Sequence, residues 1–354
     1  MVSGGLSQTF WKGKRVLLTG HTGFKGAWMT MRLHAMGAQV TGISLPPETE
    51  PNLYTSAEVA QLCQSHFCDI REEARFASLI QEARPEVVFH LAAQPLVRRS
   101  YLRPVDTFST NVMGTVHLLN TLLTVETTRV IVVITTDKVY RNNEGAHAYK
   151  ETDPLGGRDP YSASKVCCEE VVESYRRSFL EERGVAVTTA RAGNVVGGGD
   201  WSEDRLIPDI VRAWQAGTVL KVRHPEAVRP WQHVLEPIHG YCLLAERLWD
   251  APNLAEAYNF GPPSDQSATV SQVLTWAQKW EISVRFQEEQ ADALHEAQHL
   301  LLDSSKVKTL LGVASVWSLE ETLGRTFSWY RPYYEGQGAR KLCSLDIEAF
   351  GGGA

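Results

Sequence analysis

A chain of 354 residues, 43% hydrophobic and 21% charged, has the composition of a folded protein in water, long enough for one large domain or two lobes. Its net charge of -6 supplies no basic field, which argues against nucleic acid as a partner. No apolar run nears the roughly 20 residues that cross a bilayer, and the first residues lack the pattern of a signal sequence, so no membrane partner is expected.

The first predicted elements lie in RVLLTGHTGFKGAWMTMRLHAMGAQVTGISL, residues 15–45. Val16, Leu17 and Leu18 supply a strand, residues 20–26 a glycine-rich turn, and residues 27–36 a helix that Gly37 stops. Glycines let the backbone approach a pyrophosphate, whose charge sits on the free N–H groups at a helix start. Gly20, Thr22, Gly23, Phe24, Lys25 and Gly26 are therefore candidate dinucleotide contacts. The spacing G-x-x-G-x-x-G departs from the ordinary G-x-G-x-x-G, and the strand–helix–strand setting gives it its weight. The second strand ends on Ser44, where an acid would usually hold the adenosine ribose. A hydroxyl accepts a hydrogen bond without the strength of an ionised acceptor. The expected cofactor is NAD, held less tightly than by a carboxylate and with weaker discrimination against NADP.

Further apolar strands are predicted at HFCDI (66–70), EVVFHLAA (86–93), RVIVVITT (129–136) and VAVTTARAGNVV (185–196). Strands alternating with helices predict an α/β fold, a doubly wound parallel sheet of Rossmann type with a smaller α/β substrate lobe. Ligands then bind outside the carboxyl ends of the strands. Asp69, Ile70, Leu91, Ala92, Ala93, Thr136, Asp137 and Lys138 stand at such ends. Asp137 beside Lys138, at the tip of a core strand, would otherwise read as a solvated surface ion pair. In PYSASKVCCEEVVESYRRSFLEE (160–182), Tyr161 and Lys165 are four apart and share one helical face. Each unit by which a phenol's pKa is lowered takes about 1.4 kcal/mol, which a neighbouring ammonium and a positively charged nicotinamide can supply.

The second half is looser. Residues 197–217 hold a helix behind a glycine-rich lead-in, and 270–280 and 303–312 are predicted helical. Trp201, Trp214 and Trp231 are read as core or interface packing. Cys63, Cys68, Cys167, Cys168, Cys242 and Cys343 form no C-x-x-C pair and no zinc spacing, so they read as free thiols of a reducing, cytoplasmic compartment with no metal.

Taken together, TGHTGFKG, Asp69-Ile70, HLAAQ, the TNVMGT of 110–115, Tyr161 with Lys165, RPWQHV and NFGP resemble the extended short-chain dehydrogenase/reductases that modify nucleotide sugars. The likeness spans about residues 14–330. It implies hydride transfer to and from NAD, with Tyr161 as base, Lys165 positioning the nicotinamide ribose and Asn111 among the cofactor contacts. It also implies nucleotide-sugar contacts at Asn194, Arg205, Leu206, Ile207 and Arg229, the last on the diphosphate. Gln94 and Arg99 match positions that line the sugar site, although relatives carry glutamate where Gln94 stands.

At the strand tip the 4,6-dehydratases of dTDP-glucose and GDP-mannose carry Thr-Asp-Glu. Thr136-Asp137-Lys138 instead resembles the branch acting on CDP-glucose, and the UDP-N-acetylglucosamine 4,6-dehydratases share Asp-Lys. The resemblance implies C4 oxidation, removal of the C5 proton by Lys138, delivery of a proton to the departing 6-hydroxyl by Asp137, and a hydrogen bond from Thr136 to O4, as in deoxysugar biosynthesis for O-antigen and lipopolysaccharide. Those roles require the two side chains to diverge, because an ion pair locks each in the wrong protonation state, and a turn or bulge must bring both to the sugar. The expected domains are 1–190 with 231–261 for NAD, 191–230 with 262–340 for the nucleotide sugar, and a tail at 341–354. Helices at 105–124 and 161–182 are expected to pair across a two-fold axis, making a homodimer or higher homo-oligomer. The alternatives are a UDP-N-acetylglucosamine-type 4,6-dehydratase, a nucleotide-sugar epimerase, in which Asp137 and Lys138 are idle, and a non-enzymatic NAD sensor.

Overall fold

The computed structural model describes residues 5–351, apart from 144, 146, 264–265, 290–299 and 313–314. Seven short strands carry the β-branched and leucine-rich runs: β1 (Arg15–Thr19), β2 (Gln39–Ser44), β3 (Gln64–Phe67), β4 (Val87–His90), β5 (Val130–Ile134), β6 (Ala186–Ala192) and β7 (Ala257–Phe260). They form one sheet in the order β7-β6-β5-β4-β1-β2-β3, and every pairing is parallel. Side chains alternate between its faces. Val16 and Leu18 join one buried cluster, with Trp28, Val132 and Ile238, while Leu17 joins the other, with Val88, Ile131 and Val187. Both faces are covered by helices, as a parallel sheet requires. The order reverses between β1 and β4, the point at which such sheets bind ligands.

Among the helices, α1 (Phe24–Ala35), α2 (Pro160–Tyr175) and α3 (Leu235–Asp250) bear on the site. The α1 helix begins at Phe24, three residues before its predicted start, because Gly23 adopts an extended backbone and serves as the N-cap. Asp159 caps α2 by accepting the Ser162 N–H at 2.9 Å, and Pro160 stands at its first position. The predicted helix at 105–124 is divided into Pro104–Phe108, a π-helical turn at Ser109–Met113, and Gly114–Leu122. The predicted helix at 161–182 passes likewise into a π-helical stretch at Arg176–Leu180. The strand expected at 66–70 pairs over Gln64–Phe67 and ends before Asp69.

The stretch read as a tail contains α4 (Ala339–Gly351), whose Leu342, Cys343, Ile347 and Phe350 are buried. Phe350 lies edge-on to Trp317 at 4.9 Å, and α4 packs against α1, so its apolar spacing serves a core contact.

Candidate active site

A cleft of about 1390 Å³ opens at the carboxyl ends of β1, β4, β5 and β6, larger than the roughly 300–1,000 Å³ of a single small-molecule pocket. Its far wall comes from residues 194–209, the strand Val219–Val222 and the strand Val228–Pro230 that carries Arg229. Lysine and arginine outnumber aspartate and glutamate along its lining, although the chain as a whole carries -6. A cationic cleft in an acidic protein suits polyanionic ligands.

The turn after β1 fits a dinucleotide. Gly20 has φ +81°, and a Cβ there would lie 2.8 Å from the Ala92 nitrogen, so only glycine passes so close to the end of β4. A Cβ at Gly23 would meet only the Gly20 carbonyl oxygen, at 3.5 Å. No side chain caps the start of α1, which leaves its first N–H groups for an anion. Thr22 Oγ1 donates to the Leu45 carbonyl at 2.8 Å and lies 2.8 Å from Ser44 Oγ. With the threonine proton committed, Ser44 donates to Thr22 and keeps its lone pairs as acceptors, the polarity that a ribose hydroxyl needs and a 2′-phosphate does not.

The α2 helix brings Tyr161 and Lys165 to the floor of the cleft, 8% and 6% exposed. Lys165 Nζ donates to the Ile134 carbonyl at 3.0 Å, tying the helix to the end of β5, and burial pushes its pKa down. Burial pushes the Tyr161 phenol up to about 12, with the hydrogen bond to Thr136 working against it and the Asp137 carboxylate adding to it. Burial also lowers Lys25, in the first turn of α1, to about 7, with repulsion from Arg205 and Lys165 adding to the shift.

After β5 the chain turns through a single 3₁₀ turn, Asp137–Val139. Successive side chains on such a turn lie about a third of a revolution apart rather than on opposite faces. The predicted turn is therefore present, but the predicted divergence is not: Lys138 Nζ approaches Asp137 Oδ1 to 3.7 Å. That distance exceeds hydrogen-bond range, so the pair is loose. The Asp137 side chain is 5% exposed and that of Lys138 34%, and Thr136 Oγ1 donates to Asp137 at 3.0 Å. Gly193, after β6, leaves room for the acid: a Cβ there would lie 3.0 Å from Asp137 Oδ2.

Of the other predicted positions, Phe24, Gly26, Asp69, Ile70, Leu91, Ala92, Ala93, Gln94, Arg99, Asn194, Arg205, Leu206, Ile207 and Arg229 all line the cleft. Asn111 stands apart. It is 1% exposed and lies behind the wall, where it accepts the Gln94 N–H at 2.8 Å and donates to Ser164 at 2.9 Å. Arg99 reaches Glu48, beyond β2, at 2.5 Å, and Arg205 pairs with Asp200 at 3.3 Å. Sequence reasoning passed over the buried Glu169–Arg191 ion pair, whose carboxylate accepts from Thr135 just before the Asp137–Val139 turn. Its signals were an arginine inside a buried strand, which needs a partner, and a glutamate one helical turn beyond Lys165.

A family model described as GDP-mannose 4,6 dehydratase matches residues 17–326. A CDP-glucose 4,6-dehydratase of Salmonella typhimurium strain LT2 is 44% identical over 339 residues, which cover 94% of each chain. Among solved structures, the NAD-dependent NDP-hexosamine 5,6-dehydratase TunA of tunicamycin biosynthesis superposes with a TM-score of 0.75 at 26% identity, over 90% of this chain and 98% of that one. A dTDP-glucose 4,6-dehydratase of Bacillus anthracis in complex with NAD gives 0.75 at 21% identity, over 91% and 98%.

Proposed function

The chain belongs to the GDP-mannose 4,6 dehydratase family, and from that premise we propose that it converts CDP-glucose to CDP-4-keto-6-deoxyglucose and water with NAD. The observation that carries this reading is the meeting of two pairs in one cleft, Tyr161 with Lys165 and Asp137 with Lys138. The choice of CDP-glucose rests on the 44% identity to the Salmonella enzyme.

Residues 20–26 and the start of α1 would hold the pyrophosphate, Ser44 the adenosine ribose, and Asp69, Ile70 and Leu91 to Ala93 the remaining flank. Arg205 and Arg229 would bind the substrate diphosphate, with Asn194, Leu206 and Ile207 beside it and Gln94 and Arg99 toward the sugar. Bound NAD would take hydride from C4 and later return it to C6, so the reaction is redox-neutral.

Tyr161 accepts the proton of the 4-hydroxyl, for which the positive charge of the nicotinamide, with that of Arg205, would have to offset the burial that holds the phenol at about 12. Thr136 turns its hydroxyl to O4, where charge develops. The C5 proton, now α to a carbonyl, passes to Lys138, and Asp137 protonates the 6-hydroxyl as it leaves as water. The proton held by Lys138 then returns to C5, and the proton that Tyr161 took from the 4-hydroxyl replaces, by way of solvent, the one that Asp137 gave to the leaving water. In each cycle Asp137 gives one proton to the leaving hydroxyl and Lys138 takes another from C5, so their 3.7 Å contact would have to open when the sugar binds. Asp137→Asn should therefore lower water loss by about 10²- to 10⁴-fold while C4 oxidation still proceeds, and Tyr161→Phe should suppress both. Rapid-quench mass analysis of the sugar checks this, and equal loss of the two steps in Asp137→Asn counts against the assignment.

The same reading includes a homodimer. Leu102 and Val105 are 83% and 79% exposed, with Tyr101, Phe108, Met113 and Phe179 also open. This apolar face lies on or beside the helices expected to pair with a second copy, and covering it would remove a patch that a monomer rarely leaves open. All six cysteines are free thiols, which supports a cytoplasmic setting, and no helix among the described residues is long and apolar enough to cross a membrane. The two-lobe division suits a cleft whose near wall binds NAD and whose far wall binds the nucleotide sugar.

A further inference from the structure

Immediately behind the catalytic turn lies an ion pair that the reaction as derived does not use. Glu169, on α2, and Arg191, on β6, are each 5% exposed at the side chain. Taking two charges out of water is unfavourable unless their remaining donors and acceptors are also met. Arg191 Nε and Nη2 donate to Glu169 at 3.0 and 2.9 Å. Thr135 and Thr189 hydroxyls donate to the same carboxylate at 2.5 and 2.6 Å. Arg191 Nη1 donates to the Tyr140 hydroxyl at 2.8 Å and the Glu151 carbonyl at 3.3 Å. Tyr140 in turn donates to Asn259 Oδ1 at 2.7 Å.

Two of these contacts fall at opposite ends of one short segment. Thr135 directly precedes Thr136, and Tyr140 directly follows the turn Asp137–Val139. The carboxylate thus grips the entry to the turn and the guanidinium its exit, with Asp137 and Lys138 between them. A buried ion pair is a weak source of stability, because well-packed apolar residues often serve as well. Its geometric effect here is specific.

We propose that Glu169 and Arg191 are positioning residues that clamp the turn at both ends and so fix where Asp137 and Lys138 present their side chains to the sugar. This inference rests on the dehydratase reading. It bears unequally on the two halves of the reaction. Oxidation at C4 uses Tyr161 and Lys165, whose places are set by α2, and shares only Thr136 with the clamped segment. Elimination breaks the C5–H bond with its proton going to Lys138, breaks the C6–O bond with water leaving on a proton from Asp137, and forms the C5–C6 double bond. Both of its groups ride on the clamped turn. Loosening either end therefore slows elimination more than oxidation.

The test uses Thr135→Val, which keeps the side-chain shape and deletes the hydroxyl, Thr135→Ser, which restores it, and Tyr140→Phe at the other end. Each is mixed with NAD and CDP-glucose in a single turnover. The near-ultraviolet absorbance of the reduced cofactor follows C4 oxidation, and mass follows water loss. Amide hydrogen exchange across residues 136–140 is measured on the protein alone. Thr135→Val and Tyr140→Phe should lose water at least about tenfold more slowly, the effect of one hydrogen bond to a charged group, while the reduced cofactor accumulates and exchange across the turn rises. Thr135→Ser should stay close to the parent in all three readouts. Equal slowing of both steps, or unchanged exchange and rates in Thr135→Val, overturns the clamp while leaving the dehydratase reading intact. Failure of the parent protein to remove water from any sugar nucleotide overturns that reading, and the clamp falls with it.

Discussion

Lys25 shows how far a single side chain can be shifted by its place in the cleft. Desolvation, followed by repulsion from Arg205 and Lys165, lowers it from 10.5 to about 7. Between those values the unfolded chain binds a proton that the folded protein does not, so stability rises with pH across the window, and the full cost stands below it. Lys25→Met should therefore raise the unfolding temperature near neutral pH, with the gain shrinking as pH approaches 10.5. Thermal unfolding of both proteins over that range checks the sign, and a gain that grows with pH contradicts it. At this scale the sequence was readable wherever a fixed spacing carries the chemistry: Tyr161 and Lys165 share a helical face and are both buried on the cleft floor. Asp137 and Lys138 were harder, because strand alternation sends neighbours to opposite faces and gives no sign of the 3₁₀ turn that brings them within 3.7 Å. Ser44 was legible as an acceptor, but not the Thr22 contact that fixes its polarity.

Among the elements, the turn between β1 and α1 is the most tightly specified. A Cβ at Gly26 would fall 2.0 Å from the Gly20 carbonyl oxygen, a backbone contact that no rotamer change relieves. Periodicity found α1 but placed its start late, because Gly23 caps it without a side-chain signal. The helix expected at 105–124 was divided for a similar reason. A π-helical turn shifts the phase of the apolar stripe without interrupting it, so the pattern still reads as one helix. That same region exposes Leu102 and Val105. Replacing both with aspartate should convert a dimer to a monomer, since two desolvated carboxylates oppose association, and light scattering reads the mass. A parent protein that is monomeric at micromolar concentration contradicts the dimer, and an unchanged dimer in the variant moves the interface elsewhere.

Across the whole molecule, strand–helix alternation was enough to predict the parallel doubly wound sheet, and the sheet order then dictates where ligands bind. The packing of α4 against α1 was not legible, because a short amphipathic stretch at the end of a chain does not declare its partner. Nor does the far wall of the cleft declare a nucleotide base, since Val219–Val222 and Arg229 reach it from separate two-stranded sheets whose pairing is non-local. On the proposed reading, one cleft supports oxidation at C4, elimination of water across C5 and C6, and return of the hydride. The most direct measurement is the mass of the sugar nucleotide after incubation of the protein with NAD and CDP-glucose, with the reduced cofactor followed alongside. Loss of one water with no net reduced cofactor is the predicted result. An unchanged mass, or reduced cofactor formed in step with an oxidised sugar that retains its 6-hydroxyl, contradicts it.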